Sequence, residues 1–303
     1  MHNPFYDLSP RNQGRILALI GAVSWSLSGV IVKSPVFDSM PEDIRSVHLA
    51  FWRGLFVALL FLPSIRKARW HWLLIPMGFS FLGMSVFYMT ALVKTTAATA
   101  LWLQNIAPVW VALFSIFLFK EKLRRQDYPP LAICVAGVFF ILSFQMSQQD
   151  NGGIFAASFA VASGVCYAML ICLMRCLREF NSFWLVFACS VLSAFVFLPV
   201  VLCLAYMPTA GQLLTMLLLA ITSFGLPYIL FAKALRRIPA GEGVIIALSE
   251  PILAPVWVWL FWRQSEPWFT LVGGAIILTG LVLQCLTKDG EAKNSESGVQ
   301  GAE

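Results

Sequence analysis

The ionisable residue with the clearest chemical meaning is Glu250, which lies in the middle of a long apolar run. It is ten residues beyond Ala240, where the run begins, or about 15 Å along a helix at ~1.5 Å per residue. That depth is near the midplane of a bilayer whose hydrocarbon core is about 30 Å thick. A carboxyl group there costs on the order of 2.5 to 3.5 kcal/mol on insertion scales. We therefore predict that Glu250 faces a wet cavity, holds a proton or pairs with a cation. The alternative is a carboxyl group bonded to backbone groups in a broken helix.

Arg53 is the second charged residue within an apolar run. It lies about six residues from the end of that run, or roughly 9 Å deep, and its long side chain can reach either the interface or the midplane. We predict that it pairs with Glu250 or binds a substrate carboxylate. An anchor at the membrane interface is the alternative.

Prolines and polar residues occur in the same runs as these charges. Pro108, Pro251 and Pro255 lack an N–H group, and each is predicted to break a helix where the backbone lines a cavity, a simple kink being the alternative. The other predicted pathway residues are polar or aromatic side chains at comparable depth: Trp102, Gln104, Asn105, Trp25, Tyr88, Tyr167 and Tyr228. For each aromatic residue, packing in the core or in an interfacial belt is the alternative.

The composition requires a membrane environment for the elements that carry these residues. Of 303 residues, 59% are hydrophobic and 12% are charged, and mean hydropathy is +0.79. Such a chain has too little polar surface for a soluble globule. We predict an all-α integral membrane protein, because alternating strand patterns are absent. Ten transmembrane helices are predicted near residues 15–33, 47–63, 71–90, 97–118, 129–145, 153–174, 182–205, 211–232, 240–262 and 268–286.

The basic residues predict the orientation of these ten spans. With the N-terminus inside, sixteen Lys and Arg residues fall in cytoplasmic segments and four fall outside. Because positive charge concentrates on the cytoplasmic side, we predict that the N-terminus and the C-terminus are both cytoplasmic. The lipid bilayer, specifically a bacterial inner (cell) membrane crossed many times, then accounts for the net charge of +6. Nucleic-acid binding is not needed to explain it.

The sequence contains an internal repeat. Residues 97–142 reappear, shifted by 143 positions, as residues 240–285, so that Pro108 matches Pro251 and Gly137 matches Gly280. Each copy holds five predicted spans, an odd number, so the two copies are predicted to be inverted in the membrane. The predicted divisions are a first five-helix repeat over 1–146, a second over 147–287, and a disordered cytoplasmic tail over 288–303.

Two segments carry a family resemblance: "NIAPVWVALFSIFLFKEKL" around Pro108 and "SEPILAPVWVWLFWRQSEPW" around Pro251. Together with "FWRG" at Arg53, the ten spans and the repeat, the chain resembles EamA-type members of the drug/metabolite transporter superfamily. It departs from the pattern at Gln264, which stands where the first copy has Glu121. The resemblance implies a central cavity bounded by helices one, three, four, six, eight and nine. It also implies export or exchange of amino acids, metabolites or drugs.

We accordingly predict secondary transport of a small polar metabolite, an amino acid or related compound, by an exporter that uses alternating access. Protons are one coupling option through Glu250, and uniport or exchange needs no titrating acid. Proton-coupled export of cationic drugs is the alternative within transport, and an integral membrane transferase is a more distant one. No cofactor and no metal site is predicted, because His and Cys residues are not clustered and there is no phosphate-binding glycine loop.

Overall fold

The computed structural model describes residues 8–120, 125–147 and 151–300, and this part of the chain is helical with no strand. Its helices are α1 (Pro10–Ser26), α2 (Ser28–Val32), α3 (Glu42–Leu60), α4 (Leu74–Lys94), α5 (Ala97–Gln104), α6 (Ala107–Phe119), α7 (Tyr128–Ser147), α8 (Asn151–Cys176), α9 (Ser182–Cys203), α10 (Ala210–Ala220), α11 (Leu226–Ala234), α12 (Ala240–Ala247), α13 (Glu250–Trp262) and α14 (Trp268–Gln300). A π-helical segment, Ile221–Gly225, joins α10 to α11. The predicted all-α class is confirmed.

Within the described ranges, nine helical segments are long and apolar enough to cross a membrane. They match nine of the ten predicted spans. The remaining one, predicted near 47–63, corresponds to α3, whose first turn carries Glu42 and Asp43 and whose interior carries Arg53. These charges lower its apolar character, and α3 lies against α4, α9 and α10. A tenth crossing, by α3, stays a prediction.

Four of the spans are interrupted. The α5–α6 break falls at Asn105 and Ile106, just before Pro108, and the α12–α13 break falls at Leu248 and Ser249, just before Pro251. The other two interruptions are the α1–α2 junction at Leu27 and the π-helical segment. These positions expose backbone groups in the interior of a membrane-crossing segment, which is where ligand sites are built.

The structure corrects the expectation for Pro255. This residue lies inside α13, which continues from Glu250 to Trp262, so there is no break at Pro255. A single proline removes one backbone hydrogen bond and bends a helix, and packing of the surrounding turns can keep the helix continuous. Here α13 is held along its length by α1, α2 and α5.

The contact between α7 and α14 is formed by matching positions of the two halves. A Cβ atom placed on Gly137 would lie 2.7 Å from Cγ1 of Ile277, and one placed on Gly280 would lie 2.6 Å from Sγ of Cys134. A shift of 143 positions turns Gly137 into Gly280 and Cys134 into Ile277, so the second contact is the first with the halves exchanged. The glycines let the two backbones approach closely, as in other small-residue helix contacts.

The spans form two groups that each combine elements of both halves. In one group α4 packs along α8, and in the other α1 packs along α11. The second group also contains α12, whose Glu242 forms ion pairs with Arg11 and Arg15 of α1. Because both arginines are about half exposed or more, these pairs orient α12 on α1 and add little stability.

The two ends of the helix bundle differ in packing. We call the end where α5 begins the α5 end, and the opposite end, where α12 begins, the α12 end. Every residue of α5 from Ala97 to Leu103 is buried, whereas Val244 and Ile245 of α12 are exposed. The matched pair Trp102 and Ile245 is 4% and 37% exposed, respectively. The first helix of span four, α5, is therefore buried more fully than its counterpart α12.

The last helix extends beyond its membrane-crossing part. The apolar segment ends near Leu286, but the α14 backbone stays helical to Gln300, across most of the region 288–303 for which the sequence predicts a disordered tail. Glu, Ala, Lys and Gln in this segment have good helix propensity. Glu121, which belongs to the resemblance motif, lies outside the described residues.

Candidate functional site

Glu250 is the first residue of α13, at the point where the ninth span is interrupted. It lies deep in the protein, and its side chain keeps part of its accessible surface. Its position in the first turn puts the carboxylate at the positive end of the α13 dipole. No described residue donates a hydrogen bond to its carboxylate or forms an ion pair with it. The Glu250 carboxylate is thus an acidic group in the interior with no hydrogen-bond or ion-pair partner among the described residues.

Two tyrosines gather around Glu250. Tyr88 of α4 and Tyr167 of α8 both interact electrostatically with its carboxyl group. Tyr167 is 39% exposed although protein surrounds it, whereas Tyr88 is buried. Tyr167 and Tyr88 are therefore both neighbours of the Glu250 carboxyl group, the first partly exposed and the second buried.

Arg53 is engaged by residues other than Glu250. Its guanidinium Nη2 donates a hydrogen bond to Oγ of Ser85 at 2.5 Å, and its Cζ lies 5.1 Å from the ring centroid of Phe224. The side chain is only 4% exposed. Arg53 interacts electrostatically with Tyr88, which in turn interacts with Glu250. The described ion pairs do not include one between Arg53 and Glu250, so direct pairing of the two has no support in the geometry.

The predicted residues at the α5–α6 break have different surroundings. Asn105 donates its side-chain Nδ2 to the carbonyl of Leu101 at 2.9 Å, and Gln104 is partly exposed. A Cβ atom on Gly164 of α8 would lie 3.0 Å from the Gln104 carbonyl, so α8 packs tightly on this break. Trp102 is buried, and its indole lies against Gly274 of α14. Trp102 therefore serves the packing of α5 on α14.

The remaining predicted aromatic residues also have structural contacts. Trp25 donates its indole N–H to the carbonyl of Ser223 at 2.8 Å, satisfying a backbone group of the π-helical segment. Tyr228 packs with Phe61 and Phe183 and interacts electrostatically with Tyr167. Tyr228 thus lies near Tyr167, whereas Trp25 holds α1 against the π-helical segment.

Several residues near the cavity are absent from the sequence-based set. Ser28 interacts with the Tyr88 side chain, and Ser85 and Phe224 hold Arg53. Single serines and phenylalanines in apolar runs carry no distinct signal. Ser28 could have been found from the sequence, because it lies in the run "SWSLSG", where small polar residues flank the α1–α2 interruption.

Glu266 and Lys33 form a further polar group at the α5 end. Glu266 lies between α13 and α14, and its Oε1 accepts a hydrogen bond from the Ala98 N–H at 3.3 Å. Burial raises the pKa of the Glu266 carboxyl group above its usual value, while Thr96, the Ala98 N–H and Lys33 oppose that rise. The folded protein therefore holds this proton more tightly than the unfolded chain does.

This shift predicts how Glu266 contributes to stability with pH. The contribution is complete below the unfolded-chain pKa of 4.5 and is lost as the pH rises through the folded-state pKa. We expect Glu266→Gln to lessen the fall in melting temperature between that value and neutral pH. Melting curves at several pH values test this, with Glu42→Gln, a change of an exposed acid at the same end, as the matched control. Equal slopes for the parent and for Glu266→Gln would contradict the prediction.

Two similar halves of membrane-crossing helices, with interrupted spans and an acidic group in the interior, are the pattern of a membrane transporter. The model of the EamA-like transporter family matches this chain twice, over residues 12–143 and 154–285. The chain belongs to the EamA-like transporter family, which confirms the resemblance seen in the sequence. It is a multi-pass membrane protein of the drug/metabolite transporter superfamily.

Curated relatives cover most of the chain. The threonine/homoserine exporter RhtA of Salmonella typhimurium (strain SL1344) is 27% identical over 252 residues, which are 80% of this chain and 81% of that protein. The pseudopaline exporter CntI of Pseudomonas aeruginosa (strain UCBPP-PA14) is 23% identical over 291 residues, which are 91% of this chain and 97% of CntI. A crystal structure with a TM-score of 0.62 and 17% identity covers 90% of this chain and 98% of its own chain. It shows the same fold.

Proposed function

We propose that the protein is a secondary transporter that exports a small polar metabolite carrying an amino group, such as an amino acid or a related compound. Alternating access around the cavity at Glu250 moves the substrate. The two inverted halves supply the two conformations, because exchanging their arrangements turns a cavity open at one end into a cavity open at the other.

The observation that carries this proposal is the state of Glu250. Its carboxylate lies in the interior, retains accessible surface and has no hydrogen-bond or ion-pair partner among the described residues. An isolated carboxylate at such depth is costly unless a cation or a proton meets it. A substrate ammonium group supplies up to three donors and the opposite charge, and the Tyr167 hydroxyl beside it adds a further polar contact.

Two relatives support this substrate class. RhtA is named an exporter of threonine and homoserine, and CntI an exporter of pseudopaline. The site also differs between the halves: Gln104 matches Ala247, and Asn105 matches Leu248. An uneven arrangement of amides on one side and a carboxylate on the other suits a zwitterion with distinct ends. A lipophilic cation needs only the carboxylate and apolar walls.

The proposed direction follows from topology. The positive-inside distribution assigns the α12 end to the cytoplasm and the α5 end to the outside of a bacterial inner membrane. An exporter takes up its substrate on the cytoplasmic side, so the proposed substrate enters from the α12 end and leaves at the α5 end.

A ligand panel tests the substrate class. We expect an amino acid or a related compound in millimolar excess to raise the melting temperature of the purified protein, because ligand binding to the folded state adds RT ln(1 + [L]/Kd). Release of the stabilising compound from proteoliposomes, with and without a pH gradient, then measures transport and proton coupling. Stabilisation by lipophilic cations alone, with no response to amino acids, would instead assign the protein to drug export.

A further inference from the structure

The α4–α5 turn, residues Thr95 and Thr96, is held at the α5 end by two side chains of opposite charge. Lys33, which follows α2, donates its ammonium group to the carbonyls of Thr95 at 2.6 Å and Val93 at 3.3 Å. From the other side of the turn, Glu266 accepts the Ala98 N–H at 3.3 Å. Lys33 is thus bonded to backbone carbonyls at the start of the turn, and Glu266 is bonded to a backbone N–H group just after it. We call Lys33, Glu266 and these bonds the clamp.

Helix ends explain the choice of charges. Val93 lies in the last turn of α4, where carbonyls lack intrahelical partners and the dipole favours a cation. Ala98 lies in the first turn of α5, where N–H groups lack partners and the dipole favours an anion. Thr96 caps the neighbouring Thr99 N–H with its own side chain. Lys33 therefore bonds carbonyl oxygens at the end of α4, and Glu266 bonds the Ala98 N–H group, which the Thr96 side chain does not cap.

These bonds cross the boundary between the two helix groups of the bundle. The turn belongs to the group of α4 and α8, whereas Lys33 follows α2, which packs on α13 in the group of α1. Trp262 of α13 donates its indole N–H to the Val30 carbonyl at 2.8 Å, which ties α13 to α2. A Cβ atom on Gly29 of α2 would lie 3.0 Å from Cβ of Ala97 and 3.5 Å from Cγ2 of Val258. Span one, span four and span nine thus meet directly beside the clamp.

The sequence differs at the matching positions of the other half. A shift of 143 positions places Leu123 against Glu266, and it places Ile238 and Pro239 against Thr95 and Thr96. Leucine carries no charge, and proline has no side-chain hydroxyl like the one with which Thr96 caps the Thr99 N–H. The residues that hold the α4–α5 turn are therefore not repeated in the same form.

We propose that Lys33 and Glu266 form a gate that holds the transport pathway closed at the α5 end. This inference rests on the proposed transport function. For an exporter, the gate keeps Glu250 loaded from the cytoplasmic side until the clamp on Thr95 and Thr96 is released.

Cysteine labelling in nanodiscs tests the gate without any substrate. The background has all seven native cysteines replaced. Val258→Cys reports opening at the α5 end, because Val258 lies there beside Gly29 and is 0% exposed in this structure. Ile245→Cys reports on the α12 end, since Ile245 is 37% exposed. Adding Lys33→Met or Glu266→Ala is expected to raise maleimide labelling of Val258→Cys at least about tenfold. The double variant is expected also to lower labelling of Ile245→Cys at least about twofold.

Matched controls remove charges at the same end without touching the turn. Lys94→Met removes a lysine whose Nζ lies 3.6 Å from Asp43, and Asp38→Ala removes an exposed acid; both should label within about twofold of the parent. Unchanged labelling of Val258→Cys in the clamp variants would overturn the gate. So would a rise at Val258→Cys with no fall at Ile245→Cys in the double variant, because that pattern means local loosening.

Two further arms keep the result interpretable. If Glu266→Ala fails to fold, Glu266→Asp retains the charge but withdraws the carboxylate from the Ala98 N–H, and the same labelling change is expected. If labelling behaves as expected while no amino acid stabilises the protein or is released, the gate stands and the proposed substrate is wrong. Failure of the gate with successful amino-acid release gives the converse result.

Discussion

Replacing Glu250→Gln is expected to lower the transport rate at least about tenfold and to leave the fold intact. A charge-assisted hydrogen bond between a carboxylate and a substrate ammonium contributes about 1.5–3 kcal/mol, and about 1.4 kcal/mol corresponds to a factor of ten. Because no described residue pairs with this carboxylate, removing its charge leaves no partner stranded. The melting temperature should stay the same or rise. Efflux from proteoliposomes and thermal melting measure the two quantities.

The control for this change is Glu179→Gln, which alters an exposed acid outside the cavity and should leave both transport and melting unchanged. Transport by Glu250→Gln at the parental rate would remove the substrate role. Loss of folded protein would instead favour the structural alternative, in which the carboxyl group serves backbone groups of the broken helix. If the rate falls and its dependence on a pH gradient disappears as well, Glu250 carries the coupling proton.

Adding a methyl group at the α7–α14 contact is expected to lower the free energy of unfolding of the protein. In Gly280→Ala the new Cβ lies 2.6 Å from Sγ of Cys134 and 2.8 Å from the Pro130 carbonyl. In Gly137→Ala it lies 2.7 Å from Cγ1 of Ile277 and 2.9 Å from the Gly273 carbonyl. Backbone carbonyls cannot move aside as a flexible side chain can, so the helices must separate. Overpacking of this kind costs about 1–3 kcal/mol per site, measurable as a lowered melting temperature.

Gly211→Ala is the matched control for these two changes. Gly211 lies in the first turn of α10, and the nearest atoms to its new Cβ are at 3.9 Å and 4.0 Å. Alanine there relieves the entropic cost of a helical glycine, roughly 0.5–1 kcal/mol, so the melting temperature should stay the same or rise. Equal losses at Gly280 and Gly211 would show that close packing is not the cause.

The helical architecture was accessible from the sequence because bilayer thickness imposes a length on every apolar run. The two similar halves were accessible from the repeat at 143 positions. Their inversion, which the odd number of predicted spans per copy indicates, stays a prediction. Interruption of the spans near Pro108 and Pro251 follows from the missing N–H of proline. The α1–α2 junction at Leu27 and the π-helical segment lack such a marker in the chain, since tertiary contacts such as the Trp25 bond to Ser223 help to hold them.

The surroundings of the charged residues were harder to predict. Arg53 and Glu250 both lie within apolar runs, but depth alone does not determine which helix faces meet. The structure bonds Arg53 to Ser85 of the neighbouring α4 and surrounds Glu250 with Tyr88 and Tyr167. Such contacts depend on the rotation of each helix about its axis, which apolar runs with polar residues on several faces leave unspecified.

The reciprocal contact of α7 with α14 has an evolutionary consequence. Since Gly137 meets Ile277 and Gly280 meets Cys134, two identical five-helix chains inserted in opposite orientations would make the same contact twice. A five-helix unit present in both orientations therefore needs no new surface to pair with a copy of itself. The two halves can then differ elsewhere, as they do at position 250, where the acid matches Ala107.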